Sequence, residues 1–316
     1  MIKVGIVGYG NLGKAVEREI AISKDLQLVK IFSRRNIKSL QSPFGSEFEN
    51  VDKLEKYSNK IDLLVLCGGS YSDIEEIGLR AIKNFCTIDA FDTHSKLHEY
   101  KEKLDIVAKE KGKVALTAFG WDPGVLSLIR TVFAGIAGEN NVSTFWGEGV
   151  SQGHSDALRR LDGVENAIQF TVPNKKEIKN VLTQPNYTPI SKNMHRRICY
   201  VASKSHKKTG KQIKEMPNYF AGQKTTIHFV DNEKVKELQK DMRHKGLVVS
   251  HFMLPNCYSS LMKFEIEMQN NPALTARIMI VALKIAMKFY EEEKFGGYSI
   301  LDIPPKYFLN KDDKLL

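Results

Sequence analysis

The first glycine-rich segment of the chain has the residue types and spacing of a phosphate-binding loop. Gly8, Gly10 and Gly13 follow an apolar segment, 2–7, with the composition of a buried strand. A helix that begins near Leu12 would direct its N–H groups at phosphate oxygens. In such a loop Gly8 permits a tight turn, Gly10 lets the backbone approach a pyrophosphate, and Gly13 lets the helix pack on the strand. The segment predicts a dinucleotide site.

The end of the second predicted strand, 28–32, indicates which dinucleotide binds. NAD enzymes usually carry Asp or Glu there to bind the ribose 2′-hydroxyl, and such a carboxylate would repel a 2′-phosphate. This chain has Ser33, Arg34 and Arg35 instead, whose hydroxyl and guanidinium groups suit a phosphate dianion. We therefore predict NADP as the cofactor. The alternative is a glycine-rich turn followed by a solvated basic loop.

A further predicted strand, 61–66, ends in small residues that would let the nucleotide lie close to its carboxyl end. The predicted cofactor-binding residues are Gly8, Tyr9, Gly10, Asn11, Leu12, Gly13, Ser33, Arg34, Arg35, Cys67, Gly68, Gly69 and Ser70.

Two aspartates follow later strands of the same predicted domain. Asp92 comes after the strand 86–90, and Asp122 after the strand 113–118. Because open α/β sheets bind ligands at the carboxyl ends of their strands, both are candidates for proton transfer beside a nicotinamide. We favour Asp122, since buried aromatic surface such as Trp121 would raise the pKa of a neighbouring carboxyl. The alternative is that both aspartates only cap loops.

The surrounding pattern predicts an α/β fold in two domains. Residues 1–118 alternate strands and helices, as an N-terminal Rossmann-type doubly wound domain does. Residues 119–316 are predicted to form a C-terminal α+β substrate-binding domain with a mainly antiparallel sheet and few helices. A long helix, 272–293, is expected to pack on the first domain or on a partner subunit, and 204–214 is expected to be an exposed loop. The predicted strands of the second domain are 143–146, 167–172, 197–202, 225–230, 246–252 and 261–267.

Composition limits the classes of partner. The 316 residues carry 47 Lys and Arg against 37 Asp and Glu, but the lysines are scattered among acids, which predicts no nucleic-acid surface. No apolar run reaches the roughly 18 residues that a membrane helix needs, so we expect no membrane partner and a cytoplasmic protein. His94 and His98 have the spacing of a helical metal pair but lack a third ligand, and we predict no metal site.

The segment TFWGEGVSQGHSDALRR at 144–160 is the most discriminating motif of the chain. Together with GYGNLG at 8–13, FSRR at 32–35 and GWDPG at 120–124, it resembles the meso-diaminopimelate dehydrogenase family, and the resemblance extends along essentially the whole chain. It implies reversible NADP-dependent oxidative deamination of the D-centre of meso-2,6-diaminopimelate to L-2-amino-6-oxopimelate and ammonium, in lysine and cell-wall precursor metabolism. It also implies a homodimer, with dimerisation through the second domain.

Matched position by position, the resemblance implies a substrate site in which Asp92 and Asp122 lie near the D-centre. The full set of implied substrate-binding residues is Asp92, Trp121, Asp122, Trp146, Gln152, Gly153, Thr171, Arg197, His244 and Asn271. Thr171, Arg197, His244 and Asn271 match the positions that hold the distal L-amino acid head. Lys245 stands where the family often has glycine. The alternatives are a surface charge pair for Arg197 and a solvated loop for His244.

Two other functions remain open at this point. The chain could be a broader D-amino acid dehydrogenase whose substrate lacks the second amino acid head. It could also be a non-catalytic NADP-sensing protein that keeps only the nucleotide domain, although such a protein would need no polar shell for a substrate.

Overall fold

The structure is a computed structural model that describes residues 1–69, 73–217 and 219–309. Its strands, in chain order, are β1 (Ile2–Val7), β2 (Leu26–Ser33), β3 (Phe48–Asn50), β4 (Leu63–Leu66), β5 (Cys86–Asp89), β6 (Val114–Leu116), β7 (Val142–Trp146), β8 (Gly149–Val150), β9 (Val164–Pro173), β10 (His195–Ser203), β11 (Lys224–Phe229), β12 (His244–Met253), β13 (Ser259–Met268) and β14 (Gly296–Tyr298). Its α-helices are α1 (Asn11–Ala21), α2 (Ile74–Ala81), α3 (Leu97–Lys111), α4 (Val125–Ala137), α5 (Gln152–Arg159), α6 (Lys175–Thr183), α7 (Ser191–Met194), α8 (His206–Glu215), α9 (Asn232–Leu238) and α10 (Asn271–Glu291). Short 3-10 helices lie at Ile37–Ser39, Val51–Tyr57, His94–Lys96, Glu139–Asn141, Pro255–Cys257, Ile300–Asp302 and Pro305–Phe308.

The chain divides into two compact units. The first contains Met1–Ser127 and the chain from Pro272 onward, and the second contains Leu128–Asn271. The predicted boundary after residue 118 differs from this division, because the segment 119–127 and the C-terminal part of the chain both belong to the first unit. The physical reason is strand pairing, since β14 lies parallel to β6 and extends the sheet of the first unit.

The first unit is built on one parallel sheet with the strand order β14-β6-β5-β4-β1-β2-β3. Every residue of β4 is buried, as expected of a central strand covered by helices on both faces. The first six strands have the spatial order β3-β2-β1-β4-β5-β6. This is the order of a doubly wound dinucleotide-binding fold, in which ligands bind at the carboxyl ends of the strands. The predicted α/β fold class is confirmed.

The helix α10 belongs to the first unit apart from its first residue. Arg277 pairs with Glu19 and Lys284 with Asp25, so charged side chains of α10 meet residues near both ends of the α1–β2 connection. This helix was expected to pack on the first domain or on a partner subunit, and in the structure it packs on the first domain. Among the described residues, no helix is both long enough and apolar enough to span a membrane.

The second unit contains two sheets. One has the order β11-β10-β9-β8, and the other, β13-β12-β7, is antiparallel. In the first of these sheets β10 is antiparallel to β9 and parallel to β11. The expectation of a mainly antiparallel sheet holds for most strand pairs, whereas the expectation of few helices is wrong, because α5 to α9 all lie between these strands.

The segment 204–214 shows why helices were missed. It was expected to be an exposed loop on account of its lysines, but α8 runs through it. Thr209 and Ile213 are one helical turn apart and both are buried, while the lysines cover the outer face. The helix is amphipathic, but it is so rich in charged residues that its composition resembles that of an exposed loop. The four cysteines form no disulfide, and Cys257 is exposed.

Candidate active site

The phosphate loop has the geometry that its glycines predict. Gly8 has φ +96°, a left-handed conformation that favours glycine, and its N–H donates to the carbonyl of Phe32 at 2.8 Å. A Cβ on Gly13 would lie 2.1 Å from the Gly8 oxygen, so only glycine allows α1 to start this close to the loop. A Cβ on Gly10 would meet no atom within 4 Å. The loop therefore packs tightly inward and presents an open backbone at Gly10, where α1 begins with Asn11 and Leu12.

The basic residues after β2 are arranged around the same loop. Ser33 is buried, and its Oγ accepts a hydrogen bond from the Arg35 backbone N–H at 3.1 Å. The Arg35 guanidinium donates through Nη2 to the carbonyl of Tyr9. The Arg34 side chain is exposed and pairs with Asp73. One arginine thus holds the phosphate loop, and the other lies at the surface beside a carboxylate that sequence patterns did not single out.

Tyr9 is an anchor of this loop rather than an exposed side chain. It is buried, and its hydroxyl donates to Glu17 Oε2 at 2.5 Å, while Ser42 Oγ donates to Glu17 Oε1 at 2.5 Å. Burial, with the adjacent Glu17 carboxylate, raises the pKa of Tyr9 to about 12. Glu17 is a further residue that supports the predicted cofactor site and that spacing alone did not identify.

The residues after β4 form the other wall of the loop. Cys67 is buried, which raises the pKa of its thiol, and its backbone atoms lie 3.0 Å from where a Cβ on Gly8 would be. A Cβ on Gly68 would lie 3.1 Å from the Cβ of Asp73, and the Gly69 carbonyl accepts from the Asp73 backbone N–H at 3.0 Å. Ser70, also predicted to bind the cofactor, lies outside the described residues.

The two candidate catalytic aspartates follow neighbouring strands of the first unit. Asp92 comes three residues after the end of β5 and is exposed, while Asp122 is half-buried in the turn after β6. Trp121, beside it, is buried. The turn is closed by its own backbone, since the Gly120 N–H donates to the Pro123 carbonyl at 3.1 Å and the Leu126 N–H to the Trp121 carbonyl at 2.9 Å. Because β5 and β6 are parallel and adjacent, both aspartates leave the sheet at the same edge.

In the second unit, Arg197 and Thr171 lie directly opposite each other in the β9–β10 ladder. Arg197 Nη1 donates to Thr171 Oγ1 at 2.7 Å, and the amide of the fully buried Gln169 donates to the same oxygen at 3.2 Å. Burial lowers the pKa of the Arg197 guanidinium. Among the described residues, Arg197 Nε has no hydrogen-bond acceptor and no carboxylate forms an ion pair with this side chain. The alternative of a surface charge pair for Arg197 does not hold.

Two glycines of the FWGEG segment bring His244 next to this pair. A Cβ on Gly147 would lie 2.2 Å from the Thr171 carbonyl oxygen. Gly149 pairs with Thr171 across β8 and β9, and a Cβ on it would lie 2.6 Å from the Cα of His244. Any larger residue at either position would push β9 and β12 apart. The two glycines at this spacing have a packing reason, namely close approach of three backbone segments.

His244 is buried at the start of β12 rather than in a solvated loop. Its Nδ1 lies 2.8 Å from the carbonyl oxygen of Lys245. A carbonyl oxygen can only accept, so Nδ1 carries a proton and donates it to this oxygen, which leaves Nε2 on the other side of the ring. The Lys245 side chain pairs with Glu267 on β13, so this departure from the family pattern lies on the outer surface. Asn271 donates its backbone N–H to the Met242 carbonyl, two residues before His244.

Trp146 is positioned by a histidine. Its backbone N–H donates to His195 Nε2 at 2.8 Å, and the two rings lie 5.1 Å apart. Burial, and then the charges of Arg197 and His244, lower the pKa of His195 to about 3. The imidazole is therefore neutral at pH 7 and can accept the bond. His195 contacts Trp146, and its pKa is shifted by Arg197 and His244. Trp146, Arg197 and His244 therefore lie in one region of the second unit.

Gln152 and Gly153 occupy the first turn of α5 and are half-buried. The next residue, His154, lies with its Nδ1 2.8 Å from Ser151 Oγ and its ring edge-on to Tyr219 and Phe220. Burial, together with the charge of Arg197, lowers the pKa of His154 to about 3. His154 therefore packs among aromatic rings of the second unit.

The chain is similar to known proteins along almost its whole length. Residues 120–270 match the diaminopimelic acid dehydrogenase C-terminal domain family. The meso-diaminopimelate D-dehydrogenase of Acetivibrio thermocellus is 38% identical over 98% of this chain and 95% of its own length. The chain belongs to the meso-diaminopimelate dehydrogenase family. The predicted resemblance is confirmed.

Solved structures of meso-diaminopimelate dehydrogenase family members and an engineered relative have the same fold. The Corynebacterium glutamicum DAP dehydrogenase in complex with DAP superposes with a TM-score of 0.91 at 32% identity, covering 98% of this chain and 96% of that one. An engineered D-amino acid dehydrogenase bound to NADP+ superposes with a TM-score of 0.92 at 31% identity, covering 98% and 97%.

Within this member of the meso-diaminopimelate dehydrogenase family, sequence reasoning missed His195 and Gln169. The signal for both was the alternation of β-strands, since His195, Arg197 and Cys199 share one face of β10. Gln169 is two residues from Thr171 on β9 and shares its face. Among the described residues, no group of three His, Cys, Asp or Glu side chains could hold a metal ion.

Proposed function

We propose that the protein catalyses the reversible NADP-dependent oxidative deamination of the D-centre of meso-2,6-diaminopimelate, giving L-2-amino-6-oxopimelate and ammonium. In this reaction the carbon loses a hydride and the nitrogen loses a proton, water adds to the resulting imine, and ammonium leaves. When bound, NADP+ accepts the hydride. The chain must orient the substrate, hold the proton and select the second amino acid head.

The observation that carries this proposal is the partly buried guanidinium of Arg197, whose Nε is enclosed by protein and which has no carboxylate partner among the described residues. A cation shielded from water without a counter-charge is costly, and among the described residues the only hydrogen-bond acceptor of this side chain is the Thr171 hydroxyl. A ligand carboxylate would satisfy both, because Thr171 Oγ1 already accepts two hydrogen bonds and keeps its own proton to donate. A substrate with a second, distal carboxylate supplies that partner, and a simple amino acid does not.

The nucleotide contacts follow from the first unit. The open backbone at Gly10 and the start of α1 suit a pyrophosphate, and Ser33, Arg34 and Arg35 suit the 2′-phosphate. Arg34 would exchange Asp73 for the phosphate, which carries the larger charge. Tyr9, Asn11, Leu12 and Gly13 shape the loop, and Cys67, Gly68 and Gly69 line the exit of β4; Ser70 is assigned to the cofactor from the sequence alone.

The carboxylates of the first unit would do the proton chemistry. Asp122 is half-buried beside the indole of Trp121, and we assign it the proton from the substrate ammonium. Asp92, which is exposed, would orient the same ammonium and the attacking water. Trp121 and Trp146 would exclude bulk water from the reacting carbon.

The remaining substrate contacts lie in the second unit. Gln152 and Gly153 would donate to the substrate from the first turn of α5. His244 would accept, through Nε2, a hydrogen bond from the distal ammonium, and Asn271 would complete the grip on that head.

Stereoisomers test this assignment directly. Purified protein is supplied with meso-, LL- or DD-diaminopimelate and NADP+, and formation of the reduced nicotinamide is followed. We expect rapid turnover of the meso form, slower turnover of the DD form because its distal head has the wrong configuration, and none of the LL form. Replacing NADP+ with NAD+ is expected to lower kcat/KM with the meso form.

Other outcomes would identify other functions. Equal rates with meso-diaminopimelate and D-alanine would show a broad D-amino acid dehydrogenase in which Arg197 selects nothing. Tight NADPH binding without turnover of any of these amino acids would show a sensor. Either result would overturn the proposal.

We propose further that the protein is a cytoplasmic homodimer formed through the second unit. The helix α4 is mostly apolar, and two apolar residues one turn apart on it are exposed, Val132 by 48% and Ile136 by 60%. Exposed apolar side chains on one helix face mark a protein contact, and a second copy of the chain supplies a self-complementary one. Light scattering of the wild type and of the Val132→Glu/Ile136→Glu variant tests this. We expect a dimer and a monomer respectively; a monomeric wild type would contradict the proposal.

A cytoplasmic location fits a protein with free cysteines, and cell fractionation checks it.

A further inference from the structure

The strand β5 ends in a buried carboxylate that no step of the reaction uses. Asp89 is 1% exposed, and four hydrogen-bond donors surround it. A buried carboxylate is expensive even when it is well bonded, and an apolar residue of similar size could fill the same place. Its presence at the edge of the sheet where the catalytic aspartates leave therefore points to a task other than stability.

One oxygen of Asp89 joins the exits of two strands. Oδ1 accepts from the Phe91 backbone N–H at 3.0 Å, from Thr117 Oγ1 at 2.7 Å and from the Ala118 backbone N–H at 3.1 Å. The Asp89 carbonyl oxygen also accepts from the Phe119 N–H at 2.9 Å. Phe91 directly precedes Asp92, and Phe119 comes three residues before Asp122.

The conformation of Ala118 depends on these bonds. It has φ +58°, a left-handed conformation that is strained for a residue other than glycine. The bond from its N–H to Asp89 and the bond from the next N–H to the Asp89 carbonyl hold it there. A change of φ at this residue would redirect the whole turn that carries Trp121 and Asp122.

The second oxygen of Asp89 faces away from the two exits. Oδ2 accepts from the hydroxyl of Tyr100, at 2.9 Å, and Tyr100 is a buried residue of α3. Each of these four partners donates to the carboxylate, as an ionised carboxylate requires. Burial raises the pKa of Asp89, and its hydrogen bonds from Thr117, Phe91, Ala118 and Tyr100 oppose that rise.

We propose that Asp89 is a positioning residue for the deamination reaction: through Oδ1 it fixes the exits of β5 and β6 relative to each other, so that Asp92 and Asp122 act on one substrate amine. This inference rests on the proposed function. The role is assigned to the Oδ1 bonds alone, and the Oδ2 bond to Tyr100 contributes only to stability.

The two oxygens allow a matched pair of variants. Thr117→Val removes a donor to Oδ1 without changing the size of the side chain, and Tyr100→Phe removes the donor to Oδ2. Asp89→Ala removes both sets of bonds, and Asp89→Asn restores a neutral acceptor at the same place. For each variant, kcat and KM for meso-diaminopimelate, the Kd for NADPH and the Tm are measured.

We expect Asp89→Ala to lower kcat about 100-fold, as misplacement of reacting groups does, with the NADPH Kd within about twofold of wild type. Asp89→Asn should recover kcat to within about tenfold of wild type because its amide oxygen can accept the same three bonds. Thr117→Val should lower kcat about fivefold. Tyr100→Phe should lower the Tm and leave kcat within about twofold, as expected for loss of one buried hydrogen bond.

Contrary results are distinct. Parallel loss of kcat and NADPH affinity in Asp89→Ala would show general disorder of the sheet, and an unchanged kcat would show no role. If Asp89→Ala does not fold, an equal kcat for Thr117→Val and Tyr100→Phe overturns the inference. A wild type that does not turn over meso-diaminopimelate overturns the proposed function and this inference together, whereas an active wild type with an unaffected Asp89→Ala overturns this inference alone.

Discussion

The phosphate loop of the first unit and the Arg197 site of the second unit are both proposed to bind anions, but they are built in opposite ways. The loop is built from neighbours in sequence, and its arginines are exposed, with Arg34 paired to Asp73. The Arg197 site joins residues from β9, β10 and β12, and its guanidinium is partly buried without a carboxylate partner among the described residues. An exposed charge is screened by solvent and salt, and a partly buried one is screened much less. The Arg197 site should therefore be the more sensitive of the two to a single substitution.

The largest expected effect follows from removing the charge of Arg197. Arg197→Met keeps an unbranched, flexible side chain but leaves the distal substrate carboxylate without a partner. Loss of one member of a buried charge pair costs about 2–5 kcal/mol, so kcat/KM for meso-diaminopimelate should fall about 10³-fold. Steady-state kinetics and NADPH titration measure the two effects, and the Kd for NADPH should not change.

The neighbouring Arg196 is the matched control for this prediction. It carries the same side chain but is exposed on the other face of β10. Arg196→Met should leave kcat/KM within about twofold of wild type, as surface substitutions usually do. Equal losses of turnover and NADPH binding in Arg197→Met would show that Arg197 does not contact the substrate.

Substitution of the two exposed arginines should have a smaller effect on kcat/KM, and this effect should be confined to use of the cofactor. Arg34→Asp with Arg35→Ser replaces the phosphate-binding charges with a carboxylate, which should lower kcat/KM for NADP about 100-fold and for NAD much less. The ratio of the two constants is the measurement. Lys38→Asp with Lys53→Ser changes the net charge by the same amount at exposed positions and serves as the control. An unchanged preference for NADP would contradict the cofactor assignment.

The phosphate loop could be predicted from the sequence more completely than the Arg197 site, because its residues are neighbours along the chain. Gly8, Gly10 and Gly13 lie within six residues, so their spacing alone implies the turn that the structure has. The grouping of Thr171, Arg197 and His244 depends on which residues pair across β8, β9 and β10, and a one-residue shift in register would turn every side chain to the other face. Spacing along the chain does not determine that register, and these residues were identified only through family resemblance.

Residues that act through others were the hardest to predict. His195 and Asp89 contact backbone N–H groups of the site rather than the substrate, and neither belongs to a recognisable local motif. The C-terminal strand β14 was also missed, because its three residues include two glycines and give no alternating pattern. Its position beside β6 changes the domain boundary, so one short strand accounts for the main difference in domain organisation.

Gly13 and Gly10 belong to one motif, but substitution of Gly13 should affect stability and substitution of Gly10 should affect NADPH binding. A Cβ at Gly13 would lie 2.1 Å from a backbone oxygen, whereas a Cβ at Gly10 would meet nothing within 4 Å. Gly13→Ala should therefore lower the free energy of unfolding of the first unit by about 2–3 kcal/mol, the usual cost of overpacking. Gly10→Ala should keep the wild-type Tm and weaken NADPH binding about tenfold, because its methyl group occupies the approach of the pyrophosphate. Thermal unfolding and NADPH titration of both variants check this; equal Tm losses would contradict it.

The smallest expected effect is a pH dependence that belongs to the second unit. His195 accepts the Trp146 N–H and has a folded-state pKa of about 3, against 6.5 for the exposed side chain. Between these values the unfolded chain binds a proton that the folded unit does not, so stability is complete above pH 6.5 and falls as the pH is lowered towards 3. From pH 7 to pH 5 the expected loss from this one residue is about 2 kcal/mol.

His195→Gln keeps an acceptor for the Trp146 N–H but cannot bind a proton in this range, so its stability should fall about 2 kcal/mol less than that of wild type between pH 7 and pH 5. The chain has two tryptophans, and Trp121→Phe leaves Trp146 as the fluorescent reporter of the second unit in denaturant titrations of both proteins. His154, whose pKa is also lowered to about 3, is present in both and cancels in the comparison. Parallel pH dependences would mean that His195 is protonated in the folded unit near neutral pH. The Trp146 N–H would then lack its acceptor, and the account of how Trp146 is held would fail.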